Sequence, residues 1–180
     1  MRVIAGRLGG RRLVAPRGQA TRPTSDRVRE ALFSALGPMV ELAVLDLFAG
    51  SGALGIEALS RGAARAVFVE RSGPALAALR ANLEALALGP QVAEVRRTGA
   101  IEALGAARRR RETYDLVFLD PPYRQAARLA PELSASLPAV LEPGARVISE
   151  SDRRAPLELD LPVRDERRYG DTLIQIHDFE

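Results

Sequence analysis

The sequence predicts an α/β protein: an open, mostly parallel sheet that ends in a C-terminal antiparallel hairpin and is preceded by a small N-terminal β-hairpin and helix. Short apolar runs at 44–48, 66–69 and 116–119 alternate with stretches of helical spacing. Loops rich in glycine or proline follow the first and last of these runs, at Gly50–Gly55 and Asp120–Tyr123. Two strand-like segments then flank Tyr169-Gly170-Asp171 near the end of the chain, which is a hairpin pattern.

The elements follow in order. Residues 2–5 and 11–14 read as short strands around Gly9-Gly10. A connection carrying Pro16, Arg17, Arg22 and Pro23 leads to a helix capped by Thr24 or Ser25. Val28, Ala31, Leu32 and Leu36 share one face of that helix. Gly37 and Pro38 end it. Residues 1–38 are therefore expected to form a basic extension, and residues 39–180 the main domain. Val44, Leu45, Leu47 and Phe48 make a buried strand interrupted by Asp46. A glycine loop and a helix over 53–60 follow, stopped by Arg61-Gly62. The second strand, 66–69, runs into Glu70. Pro74 starts a helix with Leu76, Leu79, Leu83 and Leu86 at helical spacing. Residues 92–95 form the third strand, Thr98-Gly99-Ala100 a loop, and 101–108 a helix. The fourth strand, 116–119, leads into Asp120. Residues 124–137 read as helical with a break near Pro131. After a Pro143-Gly144 turn come a fifth strand at 145–149, a loop over 153–162, and strands at 163–168 and 172–177.

Composition narrows the chemistry. The 180 residues are 47% hydrophobic, enough for one domain with a sizeable core. Cysteine is absent, which excludes disulfides, Cys-ligated zinc and a thiol nucleophile. A single histidine, His177, makes a His-based triad or metal site a poor expectation, and no metal is expected. No apolar run suits a membrane span and no signal-peptide core is visible, so the expected location is cytoplasmic. Every basic side chain is arginine, able to grip phosphate as a fork. Residues 1–30 carry net +6, which leaves −3 on the remainder of a chain of net +3. A basic segment on a mildly acidic body points to a polyanionic partner, with Arg7, Arg11, Arg12, Arg22 and Arg27 as contact candidates. The run Arg108–Arg111 is better read as favourable charge at a helix C-terminus.

Gly50, Gly52 and Gly55 match G-x-G-x-x-G in its strand-turn-helix context. Asp46, inside the strand before the loop, suits a cationic or hydroxyl-rich ligand better than a pyrophosphate. Glu70 stands where an acid accepts hydrogen bonds from ribose hydroxyls. The glycine loop, Glu70, Gly99-Ala100 and Asp120–Tyr123 all fall at carboxyl ends of strands, where open sheets bind ligands. Asp46, Phe48, Gly50, Ser51, Gly52, Glu70, Arg71, Gly99 and Ala100 are the expected cofactor-binding residues. Asp120, Pro121, Pro122 and Tyr123 are the expected catalytic ones. Two prolines stiffen the loop and remove two N–H donors, so it presents acceptors: the Asp120 carboxylate and a backbone carbonyl, that of Pro121. Tyr123 offers a flat face for stacking. Two acceptors beside an aromatic ring suit the exocyclic amine of an unstacked base, oriented for attack on a methyl group.

These motifs resemble those of class I S-adenosylmethionine-dependent methyltransferases, which are Rossmann-like. D-L-F-A-G-S-G is similar to their first motif and D-P-P-Y to that of amino-group methylases. The N-terminal segments R-V-I-A-G, G-R-R-L and R-P-T-S-D-R-V-R-E, with Y-G-D-T near the C-terminus, resemble the RsmD family of 16S rRNA (guanine(966)-N2)-methyltransferases. The resemblance spans nearly the whole chain. It implies S-adenosylmethionine as methyl donor, guanine N2 in small-subunit 16S rRNA as acceptor, and an assembled small ribosomal subunit as substrate. Gly99 stands where many class I enzymes carry an acidic or amide side chain. Adenine contact is therefore expected from backbone at Gly99 and Ala100.

Other readings compete. Another exocyclic amine, such as adenine N6, satisfies the four-residue motif equally well; the N-terminal segment weighs against it. Protein-glutamine methylases usually have Asn at the place of Asp120. Cytosine-C5 methylation needs the missing cysteine. An NAD-dependent dehydrogenase shares the glycine pattern, but Asp46 and the Asp-Pro-Pro-Tyr loop do not fit it. A non-catalytic RNA-binding domain is the remaining class.

Overall fold

A computed structural model describes residues 1–16 and 25–180, apart from the side chain of Tyr123. Arg22, an expected RNA contact, and the Tyr123 ring, an expected stacking platform, lie outside what is described.

Helix α1 spans Asp26–Leu36, with the Ser25 hydroxyl accepting the Val28 amide at 3.3 Å. Gly37 ends it with φ 72°, a conformation that favours glycine. Then come β1 (Ala43–Asp46), α2 (Ala53–Ser60), β2 (Arg65–Val69), α3 (Gly73–Ala85), β3 (Ala93–Arg96), α4 (Ala100–Arg110) and β4 (Tyr114–Leu119). Helix α5 (Tyr123–Ser136) and a short 3-10 turn lead to β5 (Leu141–Asp152), β6 (Val163–Tyr169) and β7 (Thr172–Asp178). The sheet order is β3-β2-β1-β4-β5-β7-β6. Strands β1 to β5 are parallel, and β7 runs antiparallel between β5 and β6.

Alternation along the strands sorts side chains to two faces. Val44, Phe68, Leu116 and Phe118 face α1, α2 and α3. Leu45, Val67, Val69, Val117 and Leu119 face α4 and α5. Because β1, β2 and β4 are covered on both sides, their sequences read as nearly continuous apolar runs, whereas the edge strand β3 carries Glu94 and Arg96.

Two expectations need correction. Helix α5 passes through Pro131 without a break. Pro131 lies on the exposed face, where water can serve the carbonyl that the proline leaves unbonded. The fifth strand starts at Leu141 and includes Pro143-Gly144. The sheet absorbs that pair by a register shift between Tyr114↔Leu141 and Leu116↔Arg146, with Gly144 at φ 80°.

The expected N-terminal hairpin is reduced to a single bridge, Arg2↔Arg12, flanked by Val3 N–H donating to the Arg11 carbonyl (2.9 Å). It holds to the body in two ways. Val3, Leu8 and Leu13 are buried in the α1–α2–α3 core. The buried Glu57 carboxylate of α2 accepts the amides of Ile4 (2.7 Å) and Ala5 (3.1 Å), and Ser60 Oγ accepts that of Leu8 (3.0 Å). Asn82 of α3 accepts the Val14 amide (2.7 Å) and donates to the Val14 and Ser51 carbonyls. Among the described residues no helix is long and apolar enough to cross a membrane.

Candidate active site

The strand order turns back between β1 and β4, and the loops beyond the tips of these two strands splay apart there. A cavity of about 830 Å³ fills this crevice, well within the size range of ligand pockets. Asp46, Phe48, Gly50, Ser51, Glu70, Arg71, Gly99, Ala100, Asp120, Pro121 and Pro122 all line it. Four separate loops thus converge as the sequence predicts.

The glycine loop is fastened on both sides. Leu47 N–H donates to the Phe118 carbonyl (3.1 Å), and Ala49 N–H to that of Val69 (3.0 Å), so the loop is pinned to both neighbouring strands. Gly50, at φ 55°, turns it. A Cβ built on Gly50 or on Gly99 meets no protein atom within 4 Å. Both glycines line the cavity, so their backbones are open to close approach. Gly52 differs from its expectation and does not line the cavity. A Cβ there would meet Leu79 Cδ1 at 2.5 Å, and one on Gly55 would meet Phe68 at 2.4 Å. These two glycines let α2 pack against β2 and α3.

Glu70 closes the far side of the loop. Its Oε2 accepts the Gly50 amide at 2.9 Å, and its Oε1 accepts the amides of Arg71 and Ser72, each at 2.8 Å. A carboxylate oxygen has lone pairs to spare after one such bond, so Oε2 can still take a hydroxyl. Arg71 reaches the other way, donating to Gln125 Oε1 at 3.1 Å. On the third loop Gly99 is the N-cap of α4, with no side chain serving the first-turn amides. Backbone donors there suit the expected adenine contact.

Three carboxylates crowd the tips of β1, β4 and β5. Asp46 is buried and its Oδ2 accepts the Gly55 amide at 3.2 Å. Burial pushes its pKa up to about 7, against the pull of that amide and with a further push from Glu70. Asp120 is raised well above the usual carboxylate range, first by loss of solvation and then by Glu150 and Asp46. Register brings Glu150 beside it, because Leu119 pairs with Ser149 one residue earlier. Pro121 is buried and Pro122 exposed, and the Pro122 carbonyl accepts the Gln125 amide at 2.7 Å to start α5. This arrangement can hold a cationic, hydroxyl-bearing cofactor on the β1–β3 side and present an acceptor of N–H bonds on the β4 side.

The arginines expected to meet RNA are elsewhere. Arg7, Arg11, Arg12 and Arg27 are exposed and outside the cavity lining. Arg11 Nη2 also donates to the Ala85 carbonyl at 2.8 Å, serving the end of α3. The lining also includes residues that the sequence does not assign to the crevice, among them Glu150 and Arg29, the latter in the R-P-T-S-D-R-V-R-E segment. Glu150 had a signal, as the first acid after the apolar segment of the fifth strand. His177 is buried away from the cavity, with Ser149 Oγ at 3.1 Å from Nε2, and burial lowers its pKa.

A sheet in this order, with its seventh strand reversed and its ligand crevice between β1 and β4, defines the class I methyltransferase fold. The family model described as "Conserved hypothetical protein 95" matches residues 1–178. A Bacillus subtilis (strain 168) protein named "Putative rRNA methyltransferase YlbH" is 40% identical over 181 residues, 98% of each chain. "Ribosomal RNA small subunit methyltransferase D" of Haemophilus influenzae is 37% identical over 163 residues, covering 87% of this chain and 81% of that one. A solved structure of a hypothetical protein from Thermus thermophilus superposes with a TM-score of 0.85 at 32% identity, over 99% of both chains. The chain belongs to the RsmD family of S-adenosylmethionine-dependent methyltransferases.

Proposed function

We propose that this protein transfers a methyl group from S-adenosylmethionine to the exocyclic N2 of a guanine in 16S ribosomal RNA, acting in the cytoplasm on an assembled small subunit. One observation carries the reading: Asp120 and the Pro121-Pro122 backbone stand on the same cavity as the Gly50–Glu70 cradle. The relatives named for small-subunit rRNA support the substrate class.

The residues present fit the cofactor. Glu70 Oε2 is placed to accept from the ribose, the open backbone at Gly50 and Gly99 admits close approach, and Asp46 faces a cation well. When bound, S-adenosylmethionine supplies an electrophilic methyl group on a sulfonium. Asp120 and the Pro121 carbonyl accept the N–H bonds of the guanine amine and orient its lone pair. A carboxylate with raised proton affinity, as Asp120 has, is also a competent acceptor for the proton the amine releases. The Tyr123 ring stacks on the unstacked base in this reading, and residues 1–38 grip the surrounding RNA through Arg7, Arg12, Arg22 and Arg27. Arg11 joins them after its bond to α3.

The test is transfer of tritiated methyl to small subunits lacking the modification, followed by nucleoside mass spectrometry. N2-methylguanosine is the expected product. N6-methyladenosine would support the rival amine, and no transfer with tight cofactor binding would leave the non-catalytic reading.

A further inference from the structure

Arg29 is the largest fully buried side chain of the protein among those described, 1% exposed, and it lines the cavity. Its Nη2 donates to the Arg2 carbonyl (2.6 Å) and to Asp26 Oδ1 (2.7 Å). Its Nε and Nη1 are buried with no acceptor among the described residues. Asp26 does not complete the neutralisation, because it is 40% exposed and also faces Arg2 Nε at 3.4 Å. A buried cation with unmet donors is costly, and such groups are usually explained by a missing partner.

The surroundings say what that partner is. The cavity wall carries Asp46, Glu70, Glu102, Asp120, Glu132 and Glu150. That wall repels anions, and the other described arginines on it, Arg71 and Arg128, are exposed, while the amino group of Met1, also on the lining, acts on Asp26. An oxyanion entering the cavity meets a desolvated cation at Arg29 alone among these. Helix α1 also lies over the half of the sheet that contains β4, β5 and β6. Phe33 packs on Phe118 (ring centroids 5.8 Å), the Leu36 carbonyl accepts from Arg146, and the Ala31 carbonyl accepts from Arg167 at 3.2 Å.

We propose that Arg29 is the oxyanion-binding residue of the cavity, receiving a carboxylate or phosphate oxygen through Nε and Nη1. The assignment rests on the methyltransferase reading. Two sources share this chemistry: the carboxylate of the cofactor's amino-acid end and a phosphate beside the target nucleotide.

Calorimetry on the wild type, R29Q and R29K with S-adenosylhomocysteine and with 5′-methylthioadenosine, which lacks the carboxylate, separates them. A loss of about tenfold or more for the first ligand with the second spared assigns the carboxylate. Unchanged binding of both, with weaker binding of unmodified small-subunit RNA and a shallower salt slope, assigns the phosphate. R29K, which keeps a cation, is expected to lose less than R29Q. Wild-type affinity for the homocysteine ligand and for RNA in a folded R29Q or R29K would overturn the assignment. If both Arg29 variants unfold, D26N decides: it leaves the guanidinium in place without its carboxylate and is expected to tighten the same ligand, and unchanged or weaker binding overturns the proposal. A wild type that binds neither cofactor product nor RNA would instead count against the methyltransferase reading.

Discussion

Glu70 Oε2 lies 2.9 Å from the Gly50 amide, so the acid at the tip of β2 holds the loop that follows β1. Glu70→Ala removes this support and the acceptor for a ribose hydroxyl together. Affinity for S-adenosylhomocysteine is expected to fall by about 1–3 kcal/mol, read by calorimetry. Undiminished affinity would detach Glu70 from the cofactor.

Asp46 titrates at about 7 in the folded protein, against 3.8 for an unperturbed carboxyl. The folded state holds the proton over this window. The stabilising contribution is therefore complete below the lower value and is lost as pH rises through the upper one. Stability of the ligand-free protein should fall between roughly pH 4 and 7, by at most about 1.4 kcal/mol per pH unit from this group. Asp46→Asn should flatten that fall in urea titrations. A cationic ligand favours the ionised form, so wild-type affinity for S-adenosylmethionine should rise over the same window.

Asp120→Asn keeps the shape of the β4 tip and removes the proton acceptor. Single-turnover methyl transfer should drop by at least about a hundredfold, with cofactor affinity nearly intact. Because burial and Glu150 raise the Asp120 pKa, the wild-type rate should climb with pH as the carboxylate ionises. A pH-independent rate with the Asn variant active would remove Asp120 from the chemistry.

Gly99→Ala and Gly55→Ala separate ligand approach from packing. The first adds a methyl to open cavity space. It should weaken cofactor binding while costing stability less than about 1 kcal/mol. The second drives a methyl into the Phe68 ring at 2.4 Å and should cost about 1–3 kcal/mol. Thermal melts and calorimetry on both variants would show the two effects exchanged if the assignments are wrong.

Arg7→Ala with Arg12→Ala tests the RNA surface, without Arg11, whose guanidinium also serves the Ala85 carbonyl. RNA binding should weaken and its log–log salt slope should become shallower by roughly 0.7 per lost phosphate contact on single strands. Cofactor affinity should not move.

The sheet and its ligand side were legible because each strand is a local signal. Val44 to Phe48 and Leu116 to Leu119 alternate between two covered faces, and the loops after them contain residues whose backbone needs are specific. Glu57 and Asn82 were not legible as anchors. Each bonds a segment more than fifty residues away, and nothing local distinguishes Glu57 from an exposed helical glutamate. Arg29 was hidden for the same reason: its burial depends on how α1 settles against β4. Within the glycine motif the sequence points Gly52 at the cofactor, although Gly52 and Gly55 answer to Leu79 and Phe68, contacts that spacing does not reveal.

The fastening of residues 3–14 changes what shortening the chain would mean. Trimming the first fourteen residues would strip Glu57 of two amide donors, leave Ser60 and Asn82 without their bonds to that segment, and open the space filled by Val3, Leu8 and Leu13. What looks in the sequence like a detachable handle is, for the engineer, a wall of the building. A minimal catalytic fragment beginning near β1 is expected to melt early or collect as aggregate rather than survive as a quieter enzyme.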